Sequence, residues 1–417
     1  MTVDANARAS TVGVSTTFRD LRTGQVQFLE QRIALIAQGT TAAAGYSTTK
    51  FTATSAFQIG SVLGFGSPAH LAGLELLPAN GDGIGVIPLE VFPLVDGTTA
   101  SSGDITPSGT TTEVSTYWAR VGGILSDSFV IPVGALDVSA TCKLVKEAIE
   151  AVSHMPMTVG YTYDTITEDH PGNTGTGTVT VMTADTGKPG DWTLVCTAAA
   201  TDAGTFTLTD PDGTVVSEAV TAAVSPGTSV DEGGLQFVLI AINGSDFVVG
   251  DAFTITVPAL TVTDESKWKG VSANDIVVEI IDALGELTWT ITQPTSGAAN
   301  PTVDTALAQI GDVWTTMILN GLDVADTTAL DAYSTWGEGR WATLVAKPAV
   351  VFVGVTDATV ADAIAVSETR TTDRTNAQLV APGSPDLPIR VAARQLARIA
   401  KVANNDPARG YGSQLLQ

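Results

Sequence analysis

Residues 303–339, VDTALAQIGDVWTTMILNGLDVADTTALDAYSTWGEG, read as a helix, a strand and a second helix in immediate succession. VDTALAQIG and DTTALDAYSTWGEG carry the helical pattern, and VWTTMILNG is the apolar strand between them. The alternation continues downstream through AVVFVGV (strand), DATVADAIAVSET (helix), AQLVAP (strand) and LPIRVAARQLARIAKVA (helix). Such a series predicts an α/β fold: a doubly wound, mostly parallel sheet with helices on both faces.

Working toward the N-terminus, QRIALIAQG (31–39) and GIGVIPLEVF (83–92) read as two more strands of the same unit. Between them, SPAHLAGLELLPANG opens a short helix with Ser67 at the N-cap and Pro68 at the first helical position. This β-α-β order again points to parallel pairing, and residues 25–100 and 291–417 read as one α/β domain, the one that the resemblance given below makes the inner domain. Residues 101–163 and 262–290 read as a small α+β domain. In its helix, Cys142, Val145, Ile149 and Val152 fall on one face. Residues 164–261 change composition: Val, Thr and Phe alternate with polar residues between Gly-Lys-Pro-Gly, Asp-Pro-Asp-Gly and Asn-Gly turns, the pattern of an inserted β-sandwich. Residues 1–24, small, polar and without period, read as an extended arm.

The totals constrain the function. A chain of 417 residues with 44% hydrophobic content can build two to four domains with real cores. Acidic residues outnumber basic ones 44 to 20, giving a formal charge of −24, which disfavours nucleic acid as a partner. No apolar run is long enough for a signal peptide or a membrane span, so no membrane insertion is expected. The two cysteines, Cys142 and Cys196, fall in separate segments and read as free buried thiols.

A search for chemistry returns nothing that converges. There is no G-x-S-x-G, Walker A, H-E-x-x-H or C-x-x-C motif, and GFGSPAHLAG lacks the spacing of a dinucleotide fingerprint. His70, His154 and His170 are scattered, and DPDG (210–213) reads as a hairpin turn rather than a calcium loop. Asp323, Asp326, Asp331 and Glu338 could pair as acid and base, but carboxylates at helix starts ordinarily cap. No enzyme, metal or cofactor is expected. An enzyme reading would require paired carboxylates in a cleft.

The last helix carries Arg390, Arg394 and Arg398 at four-residue spacing with Lys401 beside them, and Ala392, Leu396, Ile399 and Ala403 opposite. Two readings stand: the arginines pair with local acids, or they form an outward stripe that docks an acidic partner.

KWKGVSANDI (267–276), GDVWTTMILN (311–320) and NNDPAR (404–409), in this order and at these distances, resemble the tail sheath protein of contractile, Mu-like bacteriophages. The resemblance spans about 30–163 and 262–417. It implies a non-catalytic subunit that polymerises as a helical sleeve around a tail tube and contracts during genome ejection and host cell entry. The implied partners are copies of itself, the tail tube protein, and baseplate and tail terminator proteins. The implied location is the virion, after assembly in the host bacterial cytoplasm. Residues 1–24 then correspond to an inter-subunit arm with Val12, Val14 and Phe18 as its apolar residues, and Arg390, Arg394, Arg398 and Lys401 to a tube-docking face. The family continues beyond NDPAR through a further β-rich stretch, whereas this sequence stops at Gln417, so that closing strand is expected from a segment not included or from another chain. Another virion component, a tail tube, capsid or adhesin subunit, is the alternative, disfavoured by the βα series.

Overall fold

The computed structural model describes residues 31–405 apart from 82, 163–165, 184–188, 225–226, 234, 242–246 and 358. Val12, Val14 and Phe18 lie outside the described residues. The chain is mixed α/β with several sheets, one of them mainly parallel.

The described residues start with β1 (Ile33–Gln38), β2 (Phe51–Ala53), helices α1 (Ala56–Leu63) and α2 (Pro68–Leu76), and β3 (Leu89–Leu94). Ser67 caps α2 by accepting from the His70 amide, with Pro68 first in the helix, as its sequence predicts. A middle unit follows: β4 (Ala100–Thr111), β5 (Ser115–Val121), three short strands, α3 (Val138–Glu150) and β6 (Met157–Thr162). After a β-rich stretch, the middle unit resumes with β7 (Thr261–Lys269), a 3-10 turn (Val271–Asp275), β8 (Val278–Asp282) and β9 (Leu287–Thr295). The chain then gives α4 (Asp304–Ile310), β10 (Met317–Asn320), α5 (Thr327–Trp341), β11 (Val350–Val355), α6 (Val360–Thr369), β12 (Asn376–Val380) and α7 (Pro388–Asn405).

The six inner strands form one sheet in the order β2-β3-β1-β10-β11-β12, parallel except for β2 against β3. Alternate residues of β1 go to opposite faces. Ile33, Leu35 and Ala37 join a core with Leu71 and Leu76 of α2 and Leu396 and Ala400 of α7. Ala34 and Ile36 pack instead with Leu307 of α4 and Tyr333 of α5. Both faces are thus covered by helices, which is why these strands are continuously apolar.

The middle unit shares the first of these cores: Tyr117, Val145, Ile149, Val262 and Trp268 belong to the same cluster as Leu35. Its sheet runs to Thr295, and a bridge joins Thr99 to Ala298, past the boundary at 290 expected from sequence. Among the described residues, the stretch between β6 and β7 holds eight strands that pair only with one another and enclose a separate core around Trp192, Phe206, Phe237 and Phe253. Its DPDG segment is a hairpin turn: the Asp210 carboxylate accepts from the Asp212 and Thr214 amides at 3.0 and 2.8 Å, and Gly213 takes φ +81°. Cys142 and Cys196 are buried and free.

One residue in this scaffold is electrostatically misplaced. Asp264 of β7 sits opposite Gly103 of β4, is 2% exposed, and neither carboxylate oxygen has a well-aligned hydrogen-bond partner among the described residues. Burial pushes its carboxyl up to about 6, with the Gly103 amide opposing and the Asp104 charge adding to the shift. The folded-state value lies above the ordinary 3.8, so stability is lost as pH rises from 3.8 through about 6. Asp264→Asn should therefore raise stability at pH 8 by about 3 kcal/mol in chemical denaturation, with the gain vanishing below about pH 4. A destabilising effect at pH 8 would mean that the ionised carboxylate is held by a partner.

Candidate functional site

In parallel α/β sheets, ligands bind outside the carboxyl ends of the strands where the strand order reverses. Here that point lies between β1 and β10. β1 ends on Gln38 and β10 on Asn320, both almost fully buried amides. KWKGVSANDI occupies the crevice. Gln38 Nε2 donates to the Lys269 carbonyl at 2.6 Å, and the Ser272 hydroxyl donates to Gln38 Oε1 at 2.7 Å. Trp268 Nε1 donates to the same Ser272 oxygen at 3.1 Å, and the Ser272 amide donates to Asn300 Oδ1 at 3.2 Å. Asn300 in turn donates to Asp326 at 3.0 Å, and Asp326 caps α5 through the Ala329 amide at 2.9 Å. Gly270 lets the chain approach: its φ is +137°, and a Cβ there would lie 2.8 Å from Asn300 Oδ1.

A cleft of about 360 Å³ remains beside this plug, but the Asn300 and Asp326 groups that line it are already engaged. A second cleft, about 730 Å³, lies between the loop after β1 and β7. Its Asp96 accepts from the Thr41 and Lys269 amides, and its Lys267 donates to the Phe65 and Ser153 carbonyls at 3.2 and 3.3 Å. At the ends of β10 and β11, Asp275, Asp323 and Asp357 approach one another. Burial and mutual repulsion raise the carboxyls of Asp275 and Asp323. Among the described residues, no group of three or more His, Cys, Asp or Glu side chains could hold a metal ion.

The other sequence candidates serve local structure. Asp326 is a cap, the Asp323 carboxylate accepts from the Ala325 amide at 2.8 Å, and Asp331 pairs with Arg370 at 2.8 Å, while Glu338 is exposed. His70 is 3% exposed and accepts from the Gly66 amide through Nδ1 at 3.1 Å; burial lowers its pKa to about 4, with the charges of His154 and Lys267 adding to the drop. His154 is half-buried, and His170 meets Glu168 at 2.8 Å.

On α7, two of the basic residues meet acids of the same chain. Arg390 and Arg394 do not present a free cationic face. Arg390 donates to Glu75 at 2.8 Å, to Asp386 at 2.9 Å and to the Gly122 carbonyl at 3.3 Å. Arg394 donates twice to Glu75, at 3.2 and 2.9 Å, and once to Asp386 at 3.1 Å. The physical reason is that Glu75 is an acidic residue on a helix packed directly on α7, and a half-buried carboxylate draws both guanidiniums inward. Burial alone would raise the Glu75 carboxyl; the Arg394 hydrogen bonds and both arginine charges outweigh it and hold it below its ordinary value. Arg398 and Lys401 are half-buried on the same helix. Sequence reading missed Glu75, Asp386, Gln38 and Ser272. Glu75 is the one charged residue within α2, and Asp386 stands four residues before Arg390, the spacing of a helical ion pair.

These bonds tie three elements of the inner domain to the β5 turn of the middle unit, so the site is a joint. No protein-family model matches the chain, and no curated protein matches it.

Two outcomes check the joint. Ser272→Ala strands the Trp268 N–H and part of the Gln38 amide and should cost about 2 kcal/mol in denaturant unfolding. Glu75→Gln should cost about 2 kcal/mol at pH 7. The Glu75 carboxyl is lowered on folding, so its contribution is present above the ordinary 4.5 and fades as pH falls below it; wild type and variant should converge in acid.

Proposed function

We propose that this protein is a structural subunit of a bacteriophage contractile tail sheath, polymerising as a helical sleeve around a tail tube and contracting to drive the tube through the host envelope. The observation that carries the reading is the open edge of the six-stranded sheet. Among the described residues β12 pairs only with β11. The Ala381 amide donates to the Val355 carbonyl, so the Val380 N–H points away from the sheet. Alongside, α6 leaves Val360 57% and Ile364 48% exposed. An unpaired edge next to an apolar helix face is a template for an added strand.

In this reading the strand comes from a neighbour's residues 1–24, with Val12, Val14 and Phe18 as its apolar side. Pairing of unlike surfaces gives an open helix where the rotation between copies does not close, as the sheath reading requires. The inner domain is a doubly wound unit, and 164–261 is a β-sandwich inserted in the middle α+β domain and carried on the outside. A filled ligand crevice supports a mechanical role over a chemical one. The partners are further copies, the tail tube protein, and the baseplate and terminator proteins of the virion. In this reading the tube meets the α7 stripe of Arg390, Arg394, Arg398 and Lys401, of which Arg390 and Arg394 also pair with Glu75 and Asp386.

Val380→Pro removes the outward N–H at a position compatible with an edge strand. The variant should keep the wild-type circular dichroism spectrum while the yield of striated tubes under negative stain falls by about tenfold or more. Tubes at wild-type yield would relocate the strand-accepting edge. Absence of tubes from the wild-type protein under every polymerising condition would sink the sheath reading.

A further inference from the structure

The β-rich stretch is mounted in an unusual way. The chain leaves β6 at Thr162 and enters β7 at Thr261, and these two residues are opposite one another in an antiparallel pair. The ends of the intervening segment therefore meet in a hairpin neck, where a two-residue turn would close the host sheet. Among the described residues none of its strands pairs with a strand outside, and no residue of the host contributes to its core.

Its charge is as separate as its core. Residues 164–261 carry thirteen acidic residues against the single basic Lys188, so half of the net charge of −24 sits in under a quarter of the chain. Asp191, Glu218, Asp231 and Glu232 are exposed and come from three different strands, so the charge is spread over the surface rather than gathered at one ligand. The rest of the chain balances acids and bases much more evenly, in part through internal pairs such as those of Arg390 and Arg394.

We propose that this unit is a polyanionic shield: a self-contained domain on a hairpin neck that keeps copies of the protein, free or assembled, from adhering through their outer surfaces. The chemistry it repels is a like copy or another acidic surface. Like charge on apposed surfaces opposes association, and the repulsion reaches only about 8 Å at physiological salt and roughly 30 Å at 0.01 M. Its effect is therefore tuned by ionic strength. The proposal does not depend on the sheath reading, because it concerns the side-by-side contact of whole chains.

The test is static light scattering of the full-length protein across a salt series from about 0.01 M to about 1 M, reading the salt at which interparticle interaction turns from repulsive to attractive. One variant carries Asp191→Asn, Glu218→Gln, Asp231→Asn and Glu232→Gln. A control with the same charge change carries Glu113→Gln, Glu265→Gln, Glu338→Gln and Glu368→Gln, all exposed and outside the unit. The shield predicts a severalfold lower crossing salt for the first variant and a much smaller shift for the control. Equal shifts would mean that total charge alone matters, and no shift in either would mean that contact occurs elsewhere; both results overturn the proposal. Failure of tube formation with the crossing shift intact would count against the sheath reading alone.

Discussion

The organisation of the molecule depends on one buried amide. Gln38 ends the central strand β1 in a place where no water reaches, so both ends of its side chain need partners from the protein. They come from Lys269 and Ser272, more than 200 residues away in sequence. Supplying them brings the end of β7 and the following turn into the crevice between β1 and β10. With that crevice filled, the inner and middle units share one core and cannot separate without stranding several polar groups at once. The paired guanidiniums at Glu75 and Asp386 hold the same boundary from the other side of the sheet, through the Gly122 carbonyl.

Local pattern made much of this architecture legible. Each helix and strand of the 303–403 series falls where its hydrophobic period places it, because those segments are long and bounded by clear starts and stops. The cap at Ser67 and the buried face of α3 were readable for the same reason. Two classes of feature were not. The short strand Phe51–Ala53 and helix Ala56–Leu63 are set by packing against β3 and α2 rather than by any strong period of their own. The partners of Arg390 and Gln38 are non-local: spacing along α7 identifies a basic face but cannot say that an acid from residue 75 will lie over it. Of the two readings of this stripe, spacing alone could not choose; the acids that Arg390 and Arg394 meet come from residues 75 and 386.

The proposed mechanical role is supported by where polar groups are used. Gln38, Ser272, Asn300 and Asp326 at the strand ends are engaged in capping and bridging, and the acidic stretch is set apart on a neck. Among the described residues β12 is paired on one side only, with an apolar helix face beside it. A body with such an edge is suited to repeated addition of identical copies, where each contact is modest and the sum over many subunits is large.

The most direct test of this account is cryo-electron microscopy, with helical reconstruction, of the protein after polymerisation. The account predicts an open helical tube in which a strand from one subunit lies along residues 376–380 of the next, with residues 167–257 on the outer surface. A discrete particle or a closed ring with β12 exposed to solvent would contradict it.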